Sequence, residues 1–155
     1  MKKENVERLP GNAAEILRLD RQICFPLYAA SNLLTKLYRP VLAELGLTYP
    51  QYLVMLVLWE QSPQSVGSLG ESLHLDGGTL TPLLKRMESA QLINRQRDAE
   101  DERRVVINLT PKGKLLQREA VRVPLTLGQQ LRIDEEEIEN LREAVKNLVQ
   151  LMSAR

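Results

Sequence analysis

The stretch SVGSLGESLHLDGGTLTPLLKRMESAQLINRQRDAEDERRVVINLTPKG, residues 65–113, changes its apolar period twice. Ser65 is placed to cap a short helix ending near Leu73, and Asp76, Gly77 and Gly78 mark a turn after it. Leu80, Leu83, Leu84 and Met87 then recur at i, i+3, i+4 and i+7, the stripe of a helix buried on one side. Thr79, Thr81, Pro82, Lys85, Arg86 and Ser89 lie off that stripe. A short helix, a tight turn and a longer helix with a small-polar start followed by basic residues form the pattern of a helix-turn-helix, whose second helix enters the DNA major groove. "LINRQR" and "VVINL" follow as two short strands joined by the charged loop "DAEDERR". A helix-turn-helix with such a hairpin is a winged helix. Its tip carries Arg103 and Arg104, cations long enough to reach phosphates or a narrow minor groove.

Upstream, Thr48 and Gln51 form a T-x-x-Q capping box for a nearly all-apolar helix, with Pro50 harmless in its first turn. Residues 20–45 read as helical, interrupted by Pro26 and Pro40, and residues 1–19 as a polar arm. Downstream, Thr110 and Pro111 restart a helix that Pro124 limits. Asp134 and Glu137 open a last helix in which Ile138, Leu141, Val145, Leu148 and Met152 make a short heptad seam, suited to helix association. The expected fold is mainly α with a small β-hairpin wing. One domain spans 20–155, a winged helix over about 48–110 flanked by helices over about 20–45 and 111–153.

Charge restricts the function. With 21 Lys and Arg against 20 Asp and Glu, the net charge is +1, so any DNA site is a local patch. From Lys85 to Arg104 there are six basic residues (Lys85, Arg86, Arg95, Arg97, Arg103, Arg104) and five acidic ones, so position matters more than excess. A solvated helix face and an ion-paired loop would use the same charges; the order of elements favours DNA. The longest apolar run, "YLVMLVLW" at 52–59, falls well short of the ~18 residues that span a bilayer, and no signal peptide opens the chain, so a cytoplasmic protein without a membrane partner is expected. One cysteine and one histidine do not make a zinc set, and no metal or cofactor is called for.

The cysteine, Cys24, lies in "DRQICFPLYAAS", residues 20–31. Proline is tolerated in a first helical turn and costs ~3 kcal/mol in the interior, so the cheapest register starts a helix between Ile23 and Phe25. Cys24 then sits at the helix N-terminus, where unpaired N–H groups and the macrodipole favour thiolate, the species that attacks peroxide oxygen. A rival register starts at Asp20, bends at Pro26, and leaves Cys24 as a small buried hydrophobe.

The segment "DERRVVINLTPKG", residues 101–113, resembles the wing signature of the MarR family of winged-helix repressors, and the resemblance runs from about Leu19 to the C-terminus. It implies a homodimer built on the terminal helices and two winged helices reading a pseudo-palindromic operator. It also implies that Thr79, Thr81, Pro82, Lys85 and Arg86 lie on the recognition helix and Arg103 on the wing, braced by Asp101. "CFPLY", "TKLYRP", "LGLTYPQYLVMLVLWE" and "GTLTPLLKRME" further resemble the OhrR subgroup, repressors that sense organic hydroperoxides. There a cysteine at the position of Cys24 is oxidised, and tyrosines at the positions of Tyr38 and Tyr49 hydrogen-bond its sulfur. Tyr28, one turn after Cys24, is a further candidate wall, with Phe25, Leu27 and Leu34 forming an apolar pocket; Tyr52 reads as core.

Tyr38 follows Cys24 by fourteen residues, ~21 Å along one continuous helix, so a tyrosine partner must come from the other subunit. Residues 115–135 hold no second cysteine for an intersubunit disulfide, which leaves a small thiol, cyclisation or overoxidation to follow a sulfenic acid. The expectation is a repressor that releases its operator when Cys24 is oxidised. Rivals are a repressor released by reversible binding of an aromatic ligand, a thiol peroxidase and a plain dimeric scaffold. An enzyme is not expected, because nothing in the sequence supplies Cys24 with a dedicated activating arginine or a resolving cysteine.

Overall fold

A computed structural model describes residues 13–154. Most of the polar arm, residues 1–12, falls outside the described residues. The chain divides into two units, Met1–Leu37 and Tyr38–Arg155, with one helix running through the boundary.

In the first unit, α1 (Ala13–Ile16) is followed by a 3₁₀ turn at Leu19–Arg21 and then by α2 (Cys24–Ala43). The start of α2 at Cys24 selects the register in which Pro26 falls in the first turn. Asp20 is not a helix cap: its carboxylate accepts two hydrogen bonds from the Arg18 guanidinium, at 3.0 and 2.7 Å. Pro40 does not interrupt α2 as expected but is carried in its last turns. Closure comes at Gly46, whose φ of +67° a residue with a Cβ adopts poorly, and which lets the Leu47 N–H reach the Leu42 carbonyl at 3.0 Å.

The second unit holds the winged helix. In α3 (Tyr49–Glu60) the Thr48 N–H donates to Gln51 Oε1 at 2.9 Å, and Tyr52, Val54, Met55 and Leu58 are buried. Ser65 caps α4 (Val66–Leu73) by accepting from the Ser68 N–H. The turn after α4 falls at His74, in the left-handed region, and not at Gly77 and Gly78 as expected; these two glycines are the first helical residues of α5 (Gly77–Ser89), capped by Asp76. Leu80, Leu83, Leu84 and Met87 are all buried, with Leu69, Ile93 and Ile107 completing this core.

The wing strands β2 (Ile93–Arg97) and β3 (Val105–Leu109) pair antiparallel from Ile93↔Leu109 to Arg97↔Val105. A third strand was not expected: β1 (Gln64–Ser65) pairs with the other edge of β3. Thr110 caps α6 (Pro111–Ala120), which ends before Pro124 is reached; Pro124 lies instead in the first turn of α7 (Arg122–Leu131). Asp134 and Glu137 form the capping box of α8 (Glu135–Ser153), a 19-residue helix with no buried residue. Among the described residues, no helix is long and apolar enough to cross a membrane.

Candidate nucleic-acid interface and redox site

Burying the leucine stripe of α5 turns Thr79, Thr81, Pro82, Lys85, Arg86 and Ser89 to solvent. Asp76 accepts from the Thr79 N–H at 2.9 Å and from its hydroxyl at 3.1 Å, which holds the carboxyl below the usual range and fixes the Thr79 rotamer at the mouth of the helix. At the wing tip the Asp98 N–H donates to the Arg104 carbonyl and the Arg104 N–H to the Asp101 carbonyl, both at 2.9 Å. Asp101 braces Arg103 through the backbone, Oδ1 accepting the Arg103 N–H at 3.0 Å. Among the described residues no carboxylate pairs with the side chains of Lys85, Arg86, Arg103 or Arg104. These four exposed cations and the small polar residues beside them form a surface that can take phosphates and base edges.

Glu88 and Arg95 were not singled out by sequence as partners. Glu88, in the last turn of α5, accepts the Arg95 backbone N–H at 3.0 Å and its Nε–H at 2.8 Å. Seven residues separate them across a helix end, a distance that neither helical nor strand periodicity reveals.

In the first unit, Cys24 is exposed at the first position of α2. Tyr28 lies one turn further on and is 69% exposed, and Phe25 and Leu34 are also exposed. Ahead of Cys24 the Arg21 side chain pairs with Glu15 at 3.1 Å, and the Gln22 amide donates to the Ile16 and Arg18 carbonyls at 2.7 and 3.2 Å.

In the second unit, the turn at Gly46 folds the end of α2 back on α3 and brings Tyr38 and Tyr49 together, ring centroids 4.7 Å apart. Tyr52 lies 6.0 Å from Tyr38 and 6.4 Å from Trp59, buried as core as expected. Burial, with the neighbouring phenols of Tyr49 and Tyr52, pushes Tyr38 up to about 12; burial also raises Tyr49 and Tyr52. All three are neutral O–H donors at neutral pH. Among the described residues none of these hydroxyls makes a hydrogen bond within the chain, so they are available to an acceptor. Trp59, unremarked in the sequence, extends the cluster by donating from Nε1 to the Gly113 carbonyl at 2.9 Å.

A profile of the SarA/Rot transcriptional regulators matches residues 36–119. The chain is 45% identical over 141 residues to the organic hydroperoxide resistance transcriptional regulator of Bacillus subtilis, covering 91% of this chain and 96% of that protein. It is similar to reduced AbfR bound to DNA (36% identity, 90% and 99% of the two chains, TM-score 0.73), the AbfR of Staphylococcus epidermidis. Overoxidised AbfR bound to DNA is similar at 36% identity, 89% and 98% coverage and TM-score 0.71. These are regulators and not enzymes. With its helix-turn-helix, its wing and this extent of identity, the chain belongs to the MarR family of winged-helix transcriptional regulators, in the subgroup of organic hydroperoxide resistance regulators.

Proposed function

We propose that this protein is a homodimeric repressor that holds a pseudo-palindromic operator while Cys24 is reduced and releases it when an organic hydroperoxide oxidises Cys24. The observation that carries the reading is Cys24 exposed as the first residue of a helix, in a chain whose winged helix presents unpaired cations. Thiolate is the species that attacks a peroxide. Its sulfur attacks the distal peroxide oxygen, the O–O bond breaks, and the sulfur loses two electrons as the peroxide is reduced to an alcohol. The product is a sulfenic acid. With one cysteine in the sequence, a small cytoplasmic thiol then forms a mixed disulfide, a backbone nitrogen closes a sulfenamide, or further peroxide overoxidises the sulfur.

Tyr38 and Tyr49 supply neutral phenols for the thiolate of the other subunit, with Tyr28 as a wall of the same pocket. Such donors favour the charged sulfur and must rearrange once it carries oxygen. Thr79, Thr81, Pro82, Lys85 and Arg86 meet the major groove, and Arg103 and Arg104 the flanking backbone or minor groove. Half-sites lie one DNA turn apart, ~34 Å, so a small rigid-body change at the subunit contact ends simultaneous docking.

The test is retention of a palindromic duplex in a gel, with and without cumene hydroperoxide. The wild type releases it and dithiothreitol restores binding after treatment in the presence of a small thiol; Cys24→Ser binds and does not release. Equal release by Cys24→Ser overturns the thiol switch, and recovery by dialysis alone favours a reversibly bound ligand.

A further inference from the structure

A cavity of about 360 Å³ opens between the recognition helix and the wing, lined by Thr81 and Leu84 of α5 and by Arg95, Arg103 and Arg104. Two of its three arginines are exposed and unpaired. The third is not: Arg95 gives both its backbone N–H and its Nε–H to the carboxylate of Glu88, at 3.0 and 2.8 Å. This pair is also set apart by burial. Its side chains are 28% and 36% exposed, whereas those of every other ion pair among the described residues are at least 44% exposed.

The placement has two consequences. Arg95 shares the inner face of β2 with the buried Ile93, and its side chain lines the cavity together with Arg103 and Arg104. Glu88 neutralises it there and orients it, withholding one phosphate-seeking cation from the interface. The same carboxylate also grips the Arg95 main chain, which ties the root of the wing to the last turn of the recognition helix. A wing held at one angle lets Arg103 and Arg104 reach DNA only when α5 is seated in its groove.

We propose that Glu88 is a specificity-determining residue: by clamping Arg95 it fixes the wing on the recognition helix and suppresses sequence-independent binding to the phosphate backbone. Arg95 is therefore a positioning residue and not a phosphate contact. The inference rests on the DNA-binding reading above and adds to it a residue that never touches the base pairs.

Salt dependence separates the possibilities, because each phosphate contact contributes about one to the slope of log affinity against log salt. Anisotropy titrations use two probes, a duplex selected by the wild-type protein from a randomised pool and poly(dI-dC). Arg95→Gln leaves the slope unchanged. Glu88→Gln frees the guanidinium, so the slope on poly(dI-dC) steepens by about one per protomer and non-specific affinity rises. The double variant returns to the wild-type slope. In Glu88→Gln and the double variant the ratio of selected to non-specific affinity falls about tenfold, since the carboxylate that held the wing is gone; Arg95→Gln loses the guanidinium bond but keeps the main-chain bond to Glu88, so its ratio falls by a smaller factor, about threefold. A slope lowered by about one per protomer in Arg95→Gln makes Arg95 a direct phosphate contact and overturns the inference, as does an unchanged affinity ratio in Arg95→Gln. Arg95→Gln alters no residue of α5 and decides the matter alone if Glu88→Gln does not fold. If the wild type binds neither probe, the DNA-binding reading fails, and this inference with it.

Discussion

Tyr38 is held as a phenol well beyond neutral pH because burial, then the nearby Tyr49 and Tyr52, make its phenolate costly, raising it to about 12. The folded chain binds that proton more tightly than the unfolded chain, whose tyrosines titrate near 10. The contribution to stability is therefore complete below pH 10 and is lost as pH rises toward about 12. Urea unfolding at successive pH values across that window is expected to show the wild type losing stability more steeply than Tyr38→Phe; parallel losses would mean that the fold does not hold this proton. Such a phenol is the donor a thiolate needs at physiological pH. The position of Cys24 was legible in the sequence because Pro26, two residues on, leaves one inexpensive helix start. The contact of Tyr38 with Tyr49 was not legible from spacing. It depends on the fold-back at Gly46, and eleven residues of separation do not specify where two rings meet. Only the family resemblance singled these two tyrosines out.

At the scale of elements, the start of α6 grips the end of α5. The Thr110 hydroxyl donates to the Gln91 carbonyl at 2.6 Å, Lys112 Nζ to the Ala90 carbonyl at 2.8 Å, and the Trp59 indole to the Gly113 carbonyl at 2.9 Å. The first two bonds satisfy the Gln91 and Ala90 carbonyls just beyond the recognition helix, which would otherwise be orphaned, and the third ties α3 to the first turn of α6. Gly113 permits the approach, since a Cβ there would lie 2.1 Å from the Leu92 carbonyl oxygen, a backbone atom with no freedom to swing aside. Gly113→Ala is expected to destabilise the protein by about 3 kcal/mol in urea unfolding. Gly67→Ala, in α4 with only Ser65 Oγ nearby at 3.8 Å, is expected to stabilise by about 0.5–1 kcal/mol. Similar effects at the two sites would remove the packing explanation. The caps at Thr48, Ser65, Thr110 and Asp134 were readable because a cap is a local side-chain pattern. The strand β1 was not, since two residues carry no period and its pairing is decided by β3, some forty residues away. Gly77 and Gly78 misled for the opposite reason: glycine signals a turn, but the Asp76 cap and the left-handed His74 put the turn earlier.

At the scale of the molecule, the unsatisfied surface is apolar. On α8, Leu141 is 58% exposed and Met152 65%, with Val145 and Val149 at 39%, and these positions recur on one helical face. On the first unit Ile23, Phe25, Leu33 and Leu34 are exposed as well. A 19-residue helix with no fully buried residue, its Ile138 and Leu148 only half-buried, gains little from packing within the chain, and isolated helices of that length are marginal in water. A second copy laid on this seam is the covering proposed above, and a dimer of that kind would make stability depend on concentration. The wild type is expected to sediment as a dimer, with a melting temperature that rises with protein concentration. Leu141→Glu combined with Val145→Glu places two charges on the seam and is expected to give a monomer, concentration-independent melting, and operator binding weakened by at least about a hundredfold, because one winged helix then reads one half-site. A double variant that stays dimeric moves the subunit contact off α8. One that is monomeric yet binds the full palindrome as tightly as the wild type removes two-site docking, and with it the means by which an oxidised Cys24 could release the operator.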